Sequence, residues 1–551
     1  MALKHVNAVV VGAGAGGGVV AKELSEAGLS VVLLERGGWP SFEEHDHDEL
    51  ISQRTTVLGN AFGPDDERYR RVIVNRDASP RVVLPSEGAY NNNAACVGSG
   101  TVSYGAMAWR FMEQDFRMRS TYGAPEGSTL EDWPIGYADL EPFYEKAEWE
   151  IGVAGDMSTN PFSPPRRKGY PMPPHPYEKE SRILEPAAKK LGLHPFPIPM
   201  LRNTVPWGGR PACIRCRYCV GFACEVNAKN GTQNTVIPTA LATGNCEVRT
   251  QSVAAEIVVD ERGRARGVKY FDGSDRQQNQ TADLVVVCCS ATESPRLLLN
   301  SRSSLFPAGA GNRNDWVGRN LQGHAYTGSW GIFEEETYDD VGPGASIAVS
   351  DYNHGNAGLR GGGMLANEFI RLPYLFAGRH APGEPRWGKA HKDYQRRNFK
   401  RTVGVQGPVQ EMPVFEARVQ VDPEVKDYWG IPVVRLSGQR HAHDIEICRF
   451  LSSKAEQWLK EAGAIRTWTS VPGIWLSGGQ HQAGTCRMGN DPKTSVTNRY
   501  GQIHDIDNLF VADASLHVTN GGFNPVLTIM ALGYWVSDYI KREWKGTKFR
   551  S

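Results

Sequence analysis

The chain of 551 residues lacks the features that mark membrane-spanning and nucleic-acid-binding proteins. Its longest apolar runs, such as residues 284–289, have the length of a strand, whereas about 20 apolar residues are needed to cross a bilayer. Lys plus Arg and Asp plus Glu both number 61, so no net charge favours nucleic acid or an anionic membrane. The sequence has no internal repeat and no low-complexity tract. These absences indicate a large globular protein of two or three lobes.

We expect no cleavable export signal, because the first predicted strand begins at about residue 7. This favours the cytoplasm, with export alongside a signal-bearing partner as the alternative. A chain of this size needs no disulfides to hold its core, so we interpret its ten cysteines as reduced.

The first 35 residues predict a strand, a helix and a second strand around a glycine-rich turn. Apolar runs over 7–11 and 29–34 enclose the turn and a helical pattern over 19–27. In such a turn the glycines permit a sharp bend, close approach of backbone to a pyrophosphate, and packing of helix on strand. The pyrophosphate faces the helix N-terminus, and an acid after the second strand accepts from ribose hydroxyls. A turn without a ligand is the alternative. The predicted nucleotide-binding residues are Gly12, Gly14, Ala15, Gly17, Glu35 and Arg36.

Later segments repeat the alternation of strand and helix. Strands are predicted over 282–289 and 508–512, and an apolar helix runs from Asn524-Pro525 to about Lys541. We therefore predict an α/β fold (α+β overall) whose Rossmann-like cofactor domain is discontinuous. Its predicted parts are residues 1–155, 225–320 and 470–551.

The intervening segments predict a second domain. Residues 325–437 hold short strands among Gly and Pro, typical of an antiparallel sheet, and an amphipathic helix is predicted over 443–462. We assign residues 321–469 to this substrate domain. Residues 156–224 are predicted to be an excursion with one helix near 178–191.

Two segments near the C-terminus carry groups suited to alcohol chemistry. Gln480-His481 supplies an imidazole, and Gly521-Gly-Phe-Asn524-Pro525 supplies an amide. An unperturbed imidazole, with a pKa of about 6.5, is largely neutral near pH 7 and accepts a proton readily. The alternatives are a core histidine bonded to backbone and an asparagine that caps the following helix.

One short segment gathers four cysteines as Cys213-x2-Cys216-x2-Cys219-x4-Cys224. This spacing is close to a ferredoxin-like run, although its last interval is one residue longer and no proline follows. Such thiolates ligate an iron–sulfur cluster or zinc, and the alternative is a reduced, packed loop or one disulfide. Two pairs of histidines, His45/His47 and His441/His443, are expected in an acidic solvated loop and at a helix start.

Taken in order along the chain, these motifs resemble the glucose-methanol-choline (GMC) oxidoreductases over nearly the whole length. The resemblance rests on the N-terminal fingerprint, Ser294-Pro295, Asn320-Leu-Gln-Gly-His324 and the segments of His481 and Asn524. Residues 132–144 and 152–155 are similar to large subunits of bacterial gluconate, fructose and glucose dehydrogenases, and to glycoside 3-dehydrogenases and 3-oxidases. The resemblance implies a p-hydroxybenzoate hydroxylase-like fold, extended FAD, and hydride transfer from an alcohol to flavin N5.

The same resemblance assigns roles to residues. It implies His481 as the general base, Asn524 as the group that orients the hydroxyl, and His324 as structural. The loop 96–105 would follow the flavin, and because it contains no histidine we expect FAD to be dissociable. Further implied cofactor contacts are Gly98, Ser99, Thr101, Ser103, Val253, Asp513, Ala514, Asn524, Pro525 and Val526. Relatives carry an iron–sulfur cluster near the position of the cysteine segment.

The sequence therefore predicts FAD-dependent oxidation of a sugar or glycoside hydroxyl, with C3 of a glycoside as one target. The implied partners are a small subunit and a cytochrome, quinone or O2 as electron acceptor. A cluster would favour a dehydrogenase, and an empty cysteine loop would favour an oxidase. The alternatives are an NAD-dependent Rossmann dehydrogenase, in which Glu35 selects NAD, and a catalytically silent flavoprotein subunit.

Overall fold

A computed structural model gives the fold of the chain and describes residues 4–44, 46–50, 63–74, 77, 79–90, 94–367, 370–476 and 479–545. Its strands are β1 (Val6–Val11), β2 (Val31–Leu34), β3 (Arg71–Val74), β4 (Pro80–Val83), β5 (Phe196–Pro197), β6 (Cys246–Arg249), β7 (Val253–Val259), β8 (Ala265–Phe271), β9 (Gln277–Val287), β10 (Tyr326–Ile332), β11 (Ile347–Val349), β12 (Leu365–Asn367), β13 (Thr402–Pro408), β14 (Arg418–Lys426), β15 (Pro432–Ser437), β16 (Arg466–Ser470) and β17 (Leu509–Val511). Its helices are α1 (Ala15–Glu26), α2 (Gly100–Ser103), α3 (Met118–Tyr122), α4 (Tyr137–Ala147), α5 (Lys179–Lys190), α6 (Val236–Ala242), α7 (Ser290–Asn300), α8 (Pro373–Ala377), α9 (Gly388–Asn398), α10 (Ala442–Glu461) and α11 (Val526–Lys545).

The first sheet joins distant parts of the chain in the order β6-β2-β1-β9-β8-β7, with β17 also paired to β9. Strand β1 is parallel to both neighbours, so that Val9 lies opposite Val32 on one side and Val285 on the other. Their side chains are almost completely buried, which explains why these strands are continuously apolar. The predicted α/β fold is confirmed. Strands β6, β2, β1, β9 and β17 pair in parallel, whereas β8 and β7 extend the same sheet with antiparallel pairs.

Helix α1 begins four residues earlier than the sequence pattern indicated, because glycines of the fingerprint form its first turn. These positions have no space for a side chain. A Cβ on Gly16 would lie 1.9 Å from the Ala512 carbonyl oxygen, and one on Gly17 would lie 1.8 Å from that of Gly12. The glycines therefore let the helix start directly against the carboxyl ends of the strands.

The second sheet has the order β16-β10-β13-β12-β11-β5, and its strand pairs are antiparallel. Helix α10 covers one face with its predicted apolar stripe, all of which is buried: Ile445, Ile447, Leu451, Ala455, Trp458 and Leu459. The Trp458 indole also donates to the Leu184 carbonyl at 2.8 Å, which ties α10 to α5. The predicted antiparallel sheet and its covering helix are confirmed.

One part of that prediction is wrong. Strands β14 and β15, which the pattern placed in the same sheet, form a separate sheet of order β14-β15-β3-β4. Strand β15 is parallel to β3, with Arg435 opposite Val72. No local pattern signals this pairing, because its two strands are far apart in the sequence. The domain boundaries that we predicted from the sequence stay predictions.

No helix among the described residues is both long enough and apolar enough to span a bilayer. The ten cysteines, all described, are free thiols.

A buried ionic cluster fixes the segment that precedes the excursion. The Glu148 carboxylate, which has no exposed side-chain area, accepts from Arg110 at 2.9 and 2.7 Å and from Arg166 at 2.8 Å. Removing one partner from a buried ion pair leaves an uncompensated charge, whereas an exposed pair contributes little.

Replacing Glu148 by Gln is therefore expected to lower the free energy of unfolding by about 3–5 kcal/mol. Thermal and urea unfolding of the purified protein would measure the loss. The matched control is Glu131→Gln, which removes the exposed partner of Arg119 and should cost about 1 kcal/mol or less. Equal stability of the two variants would contradict this account.

Candidate active site

A cavity of about 490 Å³ lies where the first sheet meets the second. Val11, Leu34, Cys288 and Asp513 place it at the carboxyl ends of β1, β2, β9 and β17, the position at which open α/β sheets bind ligands. It brings together most residues that the sequence singled out, namely Gly12, Gly14, Ala15, Glu35, Arg36, Ser99, Thr101, Ser103, Val253, His481, Asp513, Ala514, Asn524, Pro525 and Val526. Gly17 and Gly98 are not among its lining residues.

Gly12 and Gly17 have different roles at the glycine-rich turn. Gly12 has φ +99°, a left-handed conformation that favours glycine, and a Cβ there would lie 2.4 Å from the Cys288 carbonyl oxygen. Gly17 lies behind it inside α1. The first backbone N–H groups of a helix have no intrahelical acceptor, so this end of α1 suits a pyrophosphate.

Glu35 presents a fixed carboxylate to the cavity. Its Oε2 accepts from the Ala13 N–H at 2.9 Å and its Oε1 from the Gly37 N–H at 3.0 Å. Burial raises the pKa of Glu35, and these N–H groups and Arg36 act in the opposite direction. The group is therefore held in one orientation at the place expected for a ribose.

An ionic cluster that includes Arg36 also lines the cavity. Glu293 contacts Arg71 at 2.7 Å, Arg296 at 3.3 Å and Arg36 at 3.7 Å. Burial acts to raise the pKa of Glu293, but the guanidinium groups of these arginines outweigh it and lower the pKa to about 2. Glu293 thus stays ionised and holds Arg36 beside Glu35.

The glycine-rich loop is held by its own side chains. Gly98 and Ser99 have φ of +93° and +47°. The Thr101 hydroxyl donates to the Gly98 carbonyl at 2.6 Å and accepts from the Thr232 N–H at 3.2 Å. Ser99, Thr101 and Ser103 are thereby presented to the cavity, while Gly98 provides the turn that carries them.

Asp513 is anchored at the end of β17. Its Oδ1 accepts from the N–H and hydroxyl of Ser515, and its Oδ2 from the Ser290 N–H at 3.0 Å and the Ser294 hydroxyl at 2.5 Å. Burial raises the pKa of Asp513, and these hydrogen bonds oppose that shift. Asp513 therefore joins β17 to the start of α7 beside the cavity.

His481 and Asn524 both line the cavity and both lie beside Tyr326. Nδ1 of His481 lies 2.9 Å from Nδ1 of His324, and the His481 ring centroid is 5.9 Å from that of Tyr326. The Asn524 Nδ2 donates to the Tyr326 hydroxyl at 2.9 Å. The Asn524 Oδ1 is buried and has no hydrogen-bond partner. An acceptor in this situation suits a ligand hydroxyl.

These contacts bear on the alternatives left open by the sequence. The Asn524 side chain turns toward Tyr326, so it does not cap helix α11. The His481 ring contacts the His324 imidazole through its Nδ1. Sequence reasoning missed Tyr326 and the place of His324 beside His481. The one signal in the sequence was that His324 lies in the motif 320–324 and Tyr326 lies two residues after it.

The backbone of His481 has φ +56°, a left-handed conformation that costs a residue with a side chain about 1–2 kcal/mol. Four hydrogen bonds offset this cost. Gln322 and Ala483 exchange both backbone bonds at 2.9 and 3.0 Å, and His324 N–H donates to Gln480 O at 2.9 Å. The Asn520 amide donates to the His481 carbonyl at 2.7 Å. Hydrogen bonds to the backbone before, at and after His481 thus fix the position of its imidazole.

The cysteine segment was one candidate for a metal centre. Cys213, Cys216, Cys219 and Cys224 line a separate small cavity. No three His, Cys, Asp or Glu side chains in the described part of the chain are arranged to hold a metal ion. The buried Arg202 guanidinium instead donates to Cys219 Sγ at 3.2 Å, and the Arg215 N–H donates to Cys213 Sγ at 3.3 Å. The structure therefore does not support iron–sulfur or zinc ligation by these four thiols.

His47, His441 and His443 are not among the lining residues of the cavity. His441 caps α10 by accepting from the His443 N–H at 3.2 Å, as its position at a helix start predicts. His45 lies outside the described residues.

Comparison with known families decides what kind of protein carries this cavity. The family description "GMC oxidoreductase" matches residues 134–326 through its N-terminal part and residues 413–533 through its C-terminal part, together more than half of the chain. This chain belongs to the GMC oxidoreductase family.

Curated relatives cover almost all of the chain. It is 30% identical to 2-methyl-1,2-propanediol dehydrogenase of Mycolicibacterium austroafricanum, over 98% of this chain and 96% of the relative. It is 28% identical to the gluconate 2-dehydrogenase flavoprotein of Pantoea cypripedii, over 98% and 94%. It is also 28% identical to paromamine 6'-oxidase of Streptomyces fradiae, over 95% and 89%.

Solved structures show the same fold. Pyridoxine 4-oxidase from Mesorbium loti superposes with a TM-score of 0.66 at 16% identity, over 97% of this chain and 99% of that one. Formate oxidase from Aspergillus oryzae, in a study of its FAD modification, gives 0.64 at 15% identity over 99% and 100%. The chain is thus an oxidoreductase whose relatives are dehydrogenases and oxidases of CH–OH groups, and its family supports FAD as cofactor.

Replacement of Glu35 by Gln is expected to weaken FAD binding about 10- to 100-fold, because a charged acceptor contributes about 1.5–3 kcal/mol to a hydrogen bond. Titration of the apoprotein with FAD, followed by flavin fluorescence, measures the change. The matched control is Glu247→Gln on the neighbouring strand β6, whose side chain is 59% exposed and should leave affinity unchanged. Equal affinity in both variants would show that Glu35 does not contact the cofactor.

Proposed function

We propose that this chain is an FAD-dependent enzyme that oxidises a hydroxyl of a sugar or glycoside to a carbonyl. The observation that carries the proposal is the meeting of His481, Asn524 and Tyr326 in the cavity that also contains the N-terminal fingerprint. A proton acceptor and an orienting amide thus share one cavity with the groups suited to a dinucleotide. The names of relatives that act on gluconate, paromamine and a diol support a polyhydroxy substrate.

The cavity residues suit the cofactor. Backbone N–H groups at the start of α1 face the place of a pyrophosphate, and Glu35 faces the place of a ribose. FAD held by these residues would supply the acceptor, at its N5, for the hydride of the substrate carbon. FAD is expected to be non-covalent, since loop 96–105 has no histidine.

The residues of the chain supply the proton chemistry and the orientation. His481 accepts the proton of the reacting hydroxyl, so that electron density is available to expel the hydride. The Asn524 amide, whose Oδ1 is buried without a partner, orients the hydroxyl of the substrate. Because Tyr326 holds the amide through its hydroxyl, the substrate is oriented by a fixed group.

Further lining residues favour a polyol over a simple alcohol. Gln406, Gln480 and Gln482 line the same cavity. A carboxamide both donates and accepts hydrogen bonds, as a sugar hydroxyl does. Oxidation at C3 of a glycoside is the narrower form of the proposal and rests on the resemblance of residues 132–144 and 152–155 alone.

The remaining predictions concern partners and place. The electron acceptor (O2, a quinone or a cytochrome), a small partner subunit and a cytoplasmic location are proposed from the resemblance and the sequence.

An NAD-dependent enzyme would leave the family match over residues 413–533 without an explanation. A silent flavoprotein would retain FAD but would not be reduced by any sugar.

Mixing the protein anaerobically with a panel of glycosides and sugars tests this function through the flavin absorbance. The wild-type protein should be yellow and should be bleached. His481→Ala should retain FAD but lose bleaching by about 10²- to 10⁴-fold, the usual contribution of a general base. The control is His194→Ala, since that ring is remote in sequence from the motifs and 51% exposed.

Each other outcome has a distinct meaning. A colourless protein would favour the NAD alternative, and a yellow protein that no sugar bleaches would favour the silent subunit. Near-normal reduction of His481→Ala would refute the assignment of the base.

A further inference from the structure

We propose that His324 is a positioning residue that keeps a hydrogen on Nδ1 of His481, so that Nε2 of His481 is the atom that accepts the substrate proton. The proposal rests on the proposed function, in which His481 is the base. It replaces the purely structural role that the sequence suggested for His324.

The first step concerns the far side of the His324 ring. Its Nε2 lies 2.9 Å from the Gly521 carbonyl oxygen and 3.2 Å from that of Asn520. A carbonyl oxygen only accepts, so Nε2 of His324 carries a hydrogen. The ring is 3% exposed, and this burial lowers the pKa of His324 against the opposing effect of Glu411 and the two carbonyls. A neutral ring with its hydrogen on Nε2 has a lone pair on Nδ1.

The second step concerns the contact between the two rings. The two Nδ1 atoms are 2.9 Å apart, and the rings meet edge to face at 77° with centroids 5.0 Å apart. One of the two nitrogens must donate, and Nδ1 of His324 has no hydrogen. Nδ1 of His481 is therefore the donor. Since a neutral imidazole carries one hydrogen, Nε2 of His481 has a lone pair.

The third step is the consequence for proton transfer. In the other tautomer Nε2 would carry the hydrogen, and His481 could not accept a proton there. After His481 accepts the proton, its Nδ1–H still donates to His324, and this bond stabilises the imidazolium. The contact therefore selects the reactive tautomer and raises the proton affinity of the base.

The other titratable groups around His324 and His481 are paired with an opposite charge or have a pKa that favours the neutral form. Glu411 accepts from the Gly323 N–H at 3.1 Å and from Arg440 Nε at 2.5 Å, so its charge is paired beneath His324. Asp444 packs against this pair, and burial raises its pKa well above the usual value. His517 lies on the other side, and burial lowers its pKa to about 4, so it is neutral near pH 7. The Tyr326 ring also lies near His481, with the two ring centroids 5.9 Å apart.

Two substitutions separate the acceptor at Nδ1 from the donor at Nε2. In His324→Gln the amide nitrogen reaches the Gly521 carbonyl, but no acceptor remains at the Nδ1 position. In His324→Asn the amide oxygen takes the place of Nδ1, but the donor to the carbonyls is lost. A structural role depends on the donor, whereas the proposed positioning role depends on the acceptor.

The experiment measures the rate of anaerobic flavin reduction per bound FAD against pH for the holoenzymes, with Tm alongside. We expect His324→Gln to reduce the rate about 10- to 100-fold, which is the usual loss when the hydrogen-bond partner that orients a functional histidine is removed. We also expect the acidic limb of its pH profile to move to lower pH, because the imidazolium has lost an acceptor. His324→Asn should stay closer than His324→Gln to the wild type in the rate and in the position of the acidic limb. Its Tm should be lower than that of the wild type.

The control for loss of a buried imidazole is His443→Gln, whose ring is 6% exposed and accepts from the Arg360 N–H at 2.9 Å. It should leave the acidic limb unchanged. A normal rate and limb in His324→Gln, or a greater loss in His324→Asn than in His324→Gln, would overturn the proposal. Failure of the proposed function is distinguishable, since it would appear as reduction of His481→Ala at a normal rate.

Discussion

The site depends on the antiparallel contact between segments 320–324 and 480–484. Gln322 and Ala483 exchange backbone hydrogen bonds, and His324 N–H donates to Gln480 O. These bonds hold His481 in a left-handed conformation that an isolated chain would avoid. Asn520 completes the arrangement by donating to the carbonyls of His481 and Gly323. Hydrogen bonds therefore join segments 320–324 and 480–484 to Asn520, which precedes Asn524 by four residues.

The fold of the nucleotide-binding part was largely predictable from the sequence. Continuous apolar runs in β1 and β9 identify buried parallel strands, and the glycines after β1 identify the turn. The apolar stripe of α10 likewise identified the helix over the second sheet. The pairing of β15 with β3 was not predictable, because it joins residues separated by most of the chain and is specified only by packing.

The site was predictable in part. His481 and Asn524 followed from a family resemblance, and the cavity contains both. Their contacts with His324 and Tyr326 could not be derived, since hydrogen-bond partners across about 160–200 positions leave no local pattern. The cysteine segment shows the opposite case. Its spacing suggested a metal, but spacing alone does not fix where the thiols point, and Arg202 occupies the hydrogen-bonding position at Cys219.

Neutron diffraction from crystals of the oxidised holoenzyme, exchanged into D2O near neutral pH, tests the central claim most directly. The account predicts deuterium on Nε2 of His324 and on Nδ1 of His481, with none on Nε2 of His481. Deuterium on Nδ1 of His324, or on Nε2 of His481, would contradict it.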